Sequence, residues 1–418
     1  MQCAILVGGM GTRLGPLTKA MPKPLLDVGG KPFLGHLIEE VTRFGFTDFV
    51  LLAGFMSEKV RQFAEAFTSA RQTEITIRTI VEKDPLGTAG ALRMAEDVLA
   101  DEFILMNGDS WIDLNFLDLM NSKSDVKSSI VRMVLRHVEE ASRFGVVALD
   151  PDCKVREMLE RPLHPGPGLI NSGVYLIRKR RFFDELESFE NANVSLERDM
   201  LPMLVEKGRV TARTYDRFFI DIGVPDQYAA AQDQFPRRRG AVFFDRDGVL
   251  NHDGGYTHRV EDLRWIDGAK EAIKAVNDAG LFAFVVTNQA GVARGYYSED
   301  DIKVFHDAMQ RELRDFGAHI DAFEYCPHHP DGTVSNYQKT CERRKPGSGM
   351  LFDLMAEWPV EPAGSIMIGD RKSDLEAAEG AGIRGARFSG GSLSDLISDL
   401  NIGMPVSIPD ASASLEEK

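Results

Sequence analysis

The chain has 418 residues, 43% hydrophobic and 27% charged, ordinary for soluble globular protein and long enough for two domains. Its 49 Lys and Arg against 64 Asp and Glu give a net charge of −15, which argues against nonspecific binding to nucleic acid or an anionic membrane surface. No apolar run is long enough to cross a membrane, no segment has the pattern of a signal peptide, and four cysteines make no disulfide framework, so a cytoplasmic setting is expected.

Short apolar runs alternate with amphipathic stretches, the pattern of βαβ units, so the expected class is α/β with two Rossmann-like domains. In the first half the runs at 3–7, 48–53, 75–80, 102–106 and 129–135 read as strands, with helices at about 32–44, 57–68 and 88–99. From 144 to 225 the rhythm loosens around a Pro/Gly-rich loop at 162–168, as expected of an inserted substrate-binding lobe. The run Gln234-Phe235-Pro236-Arg237-Arg238-Arg239-Gly240 follows a helix and precedes a new strand. Its arginines read as a solvated linker over 236–240 rather than a nucleic-acid patch, which sets the expected domains at 1–235 and 241–405. The second half alternates again: strand 241–245, helix 268–279, strand 281–287, helix 298–316, strand 365–369, helix 373–381. The polar tail at 406–418 is expected to be disordered.

Strand 3–7 runs into Gly8-Gly9-Met10-Gly11-Thr12-Arg13-Leu14, followed by Pro22-Lys23-Pro24-Leu25. Glycines there let backbone N–H groups approach an anion closely. The loop is no Walker A sequence, because Thr12-Arg13 follow Gly11, and no dinucleotide fingerprint, because Leu14 stands where a last Gly or Ala belongs. A glycine-rich loop alone is often only a turn; Arg13 and Lys23 beside it are what point to phosphate. Leu86-Gly87-Thr88-Ala89-Gly90-Ala91-Leu92 is a small-residue loop opening a helix, a surface that suits a flat base. Asn107-Gly108-Asp109 and Phe219-Ile220-Asp221-Ile222-Gly223 each end an apolar strand in a carboxylate, at the sheet edge where ligands bind. Two such carboxylates suit Mg²⁺ held between a triphosphate and a sugar phosphate, although each Asp singly reads as a turn or N-cap residue.

Together GGMGTRL, PKP, GTAGAL, NGD, INSGVYL and FIDIG, in that order over residues 1–233, resemble the sugar-1-phosphate nucleotidyltransferase family. The resemblance implies attack of a sugar 1-phosphate oxygen on the α-phosphate of an NTP, releasing pyrophosphate. By position it implies that Gly8, Gly9, Gly11 and Thr12 cradle the nucleotide, Arg13 steadies pyrophosphate, Lys23 neutralises charge, and Asp109 and Asp221 bind Mg²⁺. It puts Glu82 and Gly87 near base and ribose, and Gly145, Glu160, Asn171 and Glu197 near the sugar. Such catalysis is positioning plus charge neutralisation, which explains the demand for Arg, Lys and metal.

In the second half Ala241-Val242-Phe243-Phe244 delivers Asp245-Arg246-Asp247-Gly248, with both aspartates on one side of an extended chain. Asp245 suits a phosphoryl-accepting nucleophile, Asp247 its acid/base partner, and Mg²⁺ the task of bringing anion to anion. An isolated Asp-x-Asp means little, but Thr287-Asn288, Arg344-Lys345-Pro346, Asp370 and Asp374 follow in order. These segments resemble the haloacid dehalogenase phosphatases over residues 241 to about 390. More narrowly, DRDGVLN, GY, TNQAGVARG, CPHHPDG and RRKP resemble the D-glycero-D-manno-heptose 1,7-bisphosphate phosphatases, near relatives of the histidinol-phosphate phosphatases. The resemblance implies that Thr287, Asn288 and Lys345 bind the transferring phosphate and that Arg344 grips the substrate. It implies further that Asp370 completes an Mg²⁺ site with Asp245 and Asp247, and that Asp374 orients Lys345 or a metal-bound water.

The same family carries a structural zinc on a Cys-x-His…Cys-x-Cys loop. Here Cys326, His328 and Cys341 are present but Arg343 takes the fourth ligand's place, with His329 as a substitute. A structural zinc normally wants four protein ligands, so Zn²⁺ is disfavoured. Cys3 and Cys153 read as a strand residue and a loop residue. The two halves together imply a bifunctional enzyme of nucleotide-activated heptose synthesis. One half would remove the 7-phosphate of heptose 1,7-bisphosphate through an aspartyl-phosphate; the other would join heptose 1-phosphate to a nucleotide, by analogy GMP from GTP. The alternatives are another sugar phosphate, histidinol phosphate in the second half, or one half acting as a sensor or scaffold. The expected partners are small molecules, not nucleic acid or membrane.

Overall fold

The computed structural model describes residues 1–70, 75–121, 129–142, 145–159 and 166–402, and the chain divides into two compact units, Met1–Arg237 and Arg238–Lys418. Arg238 and Arg239 are held within the second unit: the Arg239 N–H donates to Pro359 O at 3.2 Å and the Arg238 side chain to Val360 O at 2.7 Å. The tail expected at 406–418 lies outside the described residues.

In the first unit the described residues form a nine-stranded sheet. Gln2–Leu6 lies centrally, parallel to Asp48–Ala53 on one side and to Glu102–Asn107 on the other, with Thr76–Val81 parallel beyond Asp48–Ala53. Successive residues of a strand face opposite sides, so Cys3 and Ile5 enter one apolar cluster while Ala4 enters the other. Both faces are covered, which is why these strands are continuously apolar rather than alternating.

Within 144–225 the described residues do not form a separate lobe. Gly168–Arg178 pairs antiparallel with Glu102–Asn107 on one side and Val131–Val138 on the other, so it continues the main sheet. Its pairing with Val131–Val138 shifts register between Asn171 and Tyr175, where Gly173 has φ 78°. A Cβ on Gly173 would sit 2.5 Å from the Asn107 side-chain nitrogen, so only glycine lets the strand pass this close to the Asn107–Asp109 corner. The helix expected at 88–99 stops at Met94, and a 3-10 turn at Glu96–Val98 carries the apolar spacing on.

The second unit is an all-parallel sheet in the order Ala322–Cys326, Phe282–Asn288, Ala241–Phe244, Ile366–Gly369, Arg384–Arg387. Val242 and Phe244 enter one core cluster and Ala241 and Phe243 the other. The helix Glu299–Phe316 starts from a reciprocal capping box between Ser298 and Asp301 and ends at Gly317 with φ 90°. Two strands escape the sequence pattern, Ala322–Cys326 and Arg384–Arg387. Both are edges of the sheet, and the polar, largely exposed Arg-Gly-Ala-Arg carries little apolar signal. Among the described residues no helix is long and apolar enough to cross a membrane.

Candidate active sites

The mutually parallel strands of the first unit open their carboxyl ends on one edge of the sheet. There Gly8, Gly9, Gly11, Thr12, Arg13, Lys23, Glu82, Gly87, Asp109 and Glu197 line one cavity of about 710 Å³. Gly11 has φ 63°, and a Cβ on it would meet Lys23 Cβ at 3.1 Å, so the loop folds down onto Lys23 only because residue 11 is glycine. Glu82, leaving the strand Thr76–Val81, accepts from the Leu86 N–H at 3.1 Å. Gly8 and Gly54 leave the room its carboxylate fills.

Lys23 is buried, ion-paired with Asp109, and 3.7 Å from Asp221 Oδ1. Asp221 also accepts from the Gly223 N–H at 2.7 Å. Burial and the charge of Asp109 still raise the Asp221 carboxyl above its ordinary range, against the opposing pull of Lys23. One ammonium thus faces two carboxylates.

Thr88, which sequence reasoning left without a role, ties two walls of the cavity together. Its hydroxyl donates to Glu197 Oε2 at 3.0 Å and accepts from the Leu196 N–H at 2.7 Å. Asn107 also lines the cavity. Two expected sugar-site residues do not line it: Asn171 donates to Tyr175 OH at 2.6 Å and accepts from the Gly173 N–H at 3.0 Å, and Gly145 is exposed before the strand Val146–Leu149. Glu160 lies outside the described residues.

In the second unit Asp245 leaves the central strand into a buried ion-pair chain. Lys345 Nζ lies 2.9 Å from Asp245 Oδ1 and 2.6 Å from Asp374 Oδ1. Burial pushes the Asp245 carboxyl up to about 6 despite Lys345, and the two acids raise the Lys345 ammonium above its ordinary value despite its burial. Asn288 clamps the lysine's backbone, its amide donating to Lys345 O and accepting from Lys345 N–H, both at 3.0 Å. Arg344 is half-buried and donates to His328 O at 3.3 Å. Burial lowers its pKa, as do the neighbouring guanidiniums of Arg294 and Arg371.

Asp247 sits in a ring of donors that sequence reasoning did not assign. Its Oδ1 accepts from Arg246 Nε at 3.1 Å and Asn251 Nδ2 at 3.0 Å, and its Oδ2 accepts from Arg246 Nη2 at 2.9 Å and Gln289 Nε2 at 2.8 Å. Gln289 also donates to the buried Thr287 hydroxyl at 2.9 Å. The available signal was spacing, since Thr287 and Gln289 stand two residues apart at a strand end and so face the same way.

The nucleotidyl transferase family profile matches residues 3–238. The chain belongs to that family. A HAD-hydrolase-like profile matches residues 342–396 of this nucleotidyl transferase. Its second unit is similar to the D-glycero-beta-D-manno-heptose-1,7-bisphosphate 7-phosphatase of Rhodopseudomonas palustris, 48% identical over 167 residues, 40% of this chain and 93% of the relative. It is also similar to a D-glycero-alpha-D-manno-heptose-1,7-bisphosphate 7-phosphatase of Photorhabdus laumondii, 39% identical over 34% of this chain and 78% of that one. Its first unit is similar to HddC from Yersinia pseudotuberculosis, solved complexed with GMP-PN: 31% identical over 56% of this chain and 99% of that one, at a TM-score of 0.49. The chain is a bifunctional enzyme, a nucleotidyltransferase joined to a phosphatase.

Both families generally use Mg²⁺, and the donor sets of both units fit a hard divalent cation. In the phosphatase unit Asp245, Asp370 and Asp374 bring carboxylate oxygens within 4.8 Å of one another, and the buried Asp370 Oδ1 has no hydrogen-bond partner. The Asp247 carboxylate is not in this cluster; the donor ring turns it elsewhere. Gly248, at φ 88°, makes the cluster possible, because a Cβ there would lie 2.7 Å from Asp370 Oδ2. In the transferase unit Asp109 and Asp221 face each other across Lys23.

Zinc fits less well. Cys326, His328 and Cys341 converge within 4.8 Å, but His329 does not join them; its Nδ1 accepts from the Asp331 N–H at 3.1 Å. Arg343 pairs with Glu324, and its Nε lies 3.0 Å from Asp353 Oδ2. Burial raises the Cys326 thiol to about 11, and the neighbouring Cys341 adds to the shift. Three donors fall one short of a closed structural site.

Proposed function

We propose that this enzyme performs two consecutive steps of nucleotide-activated heptose synthesis. The phosphatase unit removes the 7-phosphate from D-glycero-D-manno-heptose 1,7-bisphosphate. The transferase unit joins the resulting heptose 1-phosphate to GMP from GTP, releasing pyrophosphate. The observation that carries the reading is the 48% identity across 93% of a heptose-bisphosphate 7-phosphatase, in a chain whose other unit is a nucleotidyl transferase. A phosphatase that leaves a sugar 1-phosphate makes the substrate that such a transferase consumes.

In the phosphatase step Asp245 attacks phosphorus, and Asp247 gives a proton to the departing sugar oxygen. Asp247 then takes a proton from the water that cleaves the aspartyl-phosphate, releasing phosphate and restoring Asp245. Lys345 and Thr287 hold the transferring phosphoryl oxygens, and Asn288 fixes the backbone that carries Lys345. The neighbouring guanidiniums of Arg344, Arg294 and Arg371 suit a substrate with a second, retained phosphate. In the transferase step Arg13 and Lys23 neutralise the triphosphate while a sugar 1-phosphate oxygen attacks the α-phosphorus. The glycine loop with Thr12 cradles the nucleotide, Glu82 and Gly87 flank base and ribose, and Glu197 faces the sugar. Asp109 and Asp221 in one unit, and Asp245 and Asp370 in the other, would hold Mg²⁺, which would supply the charge neutralisation that lets anions meet.

Incubation with heptose 1,7-bisphosphate, Mg²⁺ and each NTP in turn, with products read by mass, tests the whole scheme. GDP-heptose is expected only with GTP. Turnover of histidinol phosphate in preference to the heptose bisphosphate would overturn the substrate assignment.

A further inference from the structure

Gln289 is almost fully buried, and each hydrogen-bonding group of its side chain is engaged. A primary amide offers one acceptor oxygen and two N–H donors. The oxygen accepts from Tyr297 OH at 2.6 Å, and the NH₂ group donates to Asp247 Oδ2 at 2.8 Å and to Thr287 Oγ1 at 2.9 Å. In this one orientation, with the amide nitrogen toward Asp247 and Thr287 and the oxygen toward Tyr297, all three hydrogen bonds are made at once. Tyr297 in turn has little freedom. Its ring lies directly against Gly291, where any Cβ would overlap it, and stacks on His258 at 4.5 Å between centroids with the planes 20° apart.

We propose that Gln289, held by Tyr297, is a positioning residue that locks the Asp247 carboxylate and the Thr287 hydroxyl into one geometry. This deepens the phosphatase reading and rests on it. Two consequences follow for the reaction. A carboxylate gripped at Oδ2 by Gln289 and at Oδ1 by Arg246 and Asn251 cannot rotate, so its aim at the leaving oxygen is fixed before substrate arrives. A threonine hydroxyl that accepts from Gln289 keeps its one proton to donate to a phosphoryl oxygen. Without the Tyr297 O–H the amide is free to turn, and both alignments loosen together.

The test uses the full chain with Mg²⁺ and two phosphomonoesters, heptose 1,7-bisphosphate and p-nitrophenyl phosphate. The leaving oxygen of the second is a weak base and needs no proton. Tyr297→Phe, which keeps the ring, is expected to lower kcat on the sugar phosphate about tenfold with KM within about twofold, the loss equivalent to one misaligned hydrogen bond. Gln289→Leu is expected to lower it by about a hundredfold, within the range of general acid catalysis. On p-nitrophenyl phosphate both losses should be clearly smaller, because protonation of the leaving oxygen is not needed there while the Thr287 contact and the action of Asp247 on water still are. Equal losses on both substrates, or full kcat in Tyr297→Phe, would overturn the positioning role. Asp245→Asn separates the two levels: if it keeps turnover, the phosphatase reading itself fails. If it abolishes turnover while Tyr297→Phe is unaffected, only the role of Gln289 fails.

Discussion

Asp374 holds Lys345 from behind: its Oδ1 is 2.6 Å from the Lys345 ammonium, which reaches 2.9 Å to Asp245 on the other side. All three side chains are nearly or fully buried. Removing the lysine would leave two carboxylates in a poorly solvated pocket without their counter-ion, Asp245 keeping the Arg246 N–H and Asp374 the Arg371 N–H. Lys345→Ala is therefore expected to destabilise the second unit by about 3–5 kcal/mol and to abolish phosphatase turnover. Urea unfolding and a phosphate-release assay check both, and nucleotidyl transfer to heptose 1-phosphate should persist.

The two half-reactions should separate cleanly by mutation. Asp245→Asn is expected to remove phosphate release while leaving transfer to supplied heptose 1-phosphate intact. Asp109→Ala should do the reverse, lowering transfer at least about a hundredfold, since it removes one of the two carboxylates facing Lys23. Separate assays of phosphate and pyrophosphate release read the outcome.

Arg343 should decide whether the Cys326–His328–Cys341 cluster holds metal. Purified wild-type enzyme is expected to contain well under one zinc per chain, and Arg343→Cys, which supplies a third thiolate and so a fourth ligand, about one. Elemental analysis after exhaustive dialysis measures this. The pairs of Arg343 with Glu324 and Asp353 are partly exposed, so their loss should cost at most about 1 kcal/mol.

His306 predicts an acid limb to stability. Its ring stacks on Phe323, its Nε2 lies 3.3 Å from Arg246, and burial together with that guanidinium lowers its pKa well below 6.5. Below the ordinary histidine pKa of about 6.5 the unfolded chain takes up a proton that the folded ring refuses, so stability falls as pH falls. Wild type should lose about 1.4 kcal/mol per pH unit more than His306→Gln once below that pKa. Urea unfolding of both proteins at about pH 7.5 and about pH 5.5 gives the difference.

What could be read from residues alone was whatever local pattern encodes. Asp245 is legible because a four-residue apolar run delivers it to a sheet edge, and Lys23 because it follows a glycine loop between prolines. The long strand Gly168–Arg178 was harder to place, because its membership of the main sheet depends on partners 60 or more residues earlier in strand Glu102–Asn107. Gln289 was invisible as more than a neighbour of Thr287, since its meaning comes from Tyr297, and from the missing side chain of Gly291 that admits that ring. Asn171 shows how local geometry adds to a motif: its amide donates to Tyr175 OH and accepts from the Gly173 N–H within its own strand, contacts that motif position alone does not reveal.

The division of the chain at Arg237 and Arg238 has a consequence outside chemistry. Each round of translation yields one centre of either kind, so their copy numbers stay equal at any level of expression. The balance between making the sugar 1-phosphate and using it is then set by the two turnover rates alone. A slow second step cannot be corrected by synthesising more of one catalyst, and selection on either rate acts on the other.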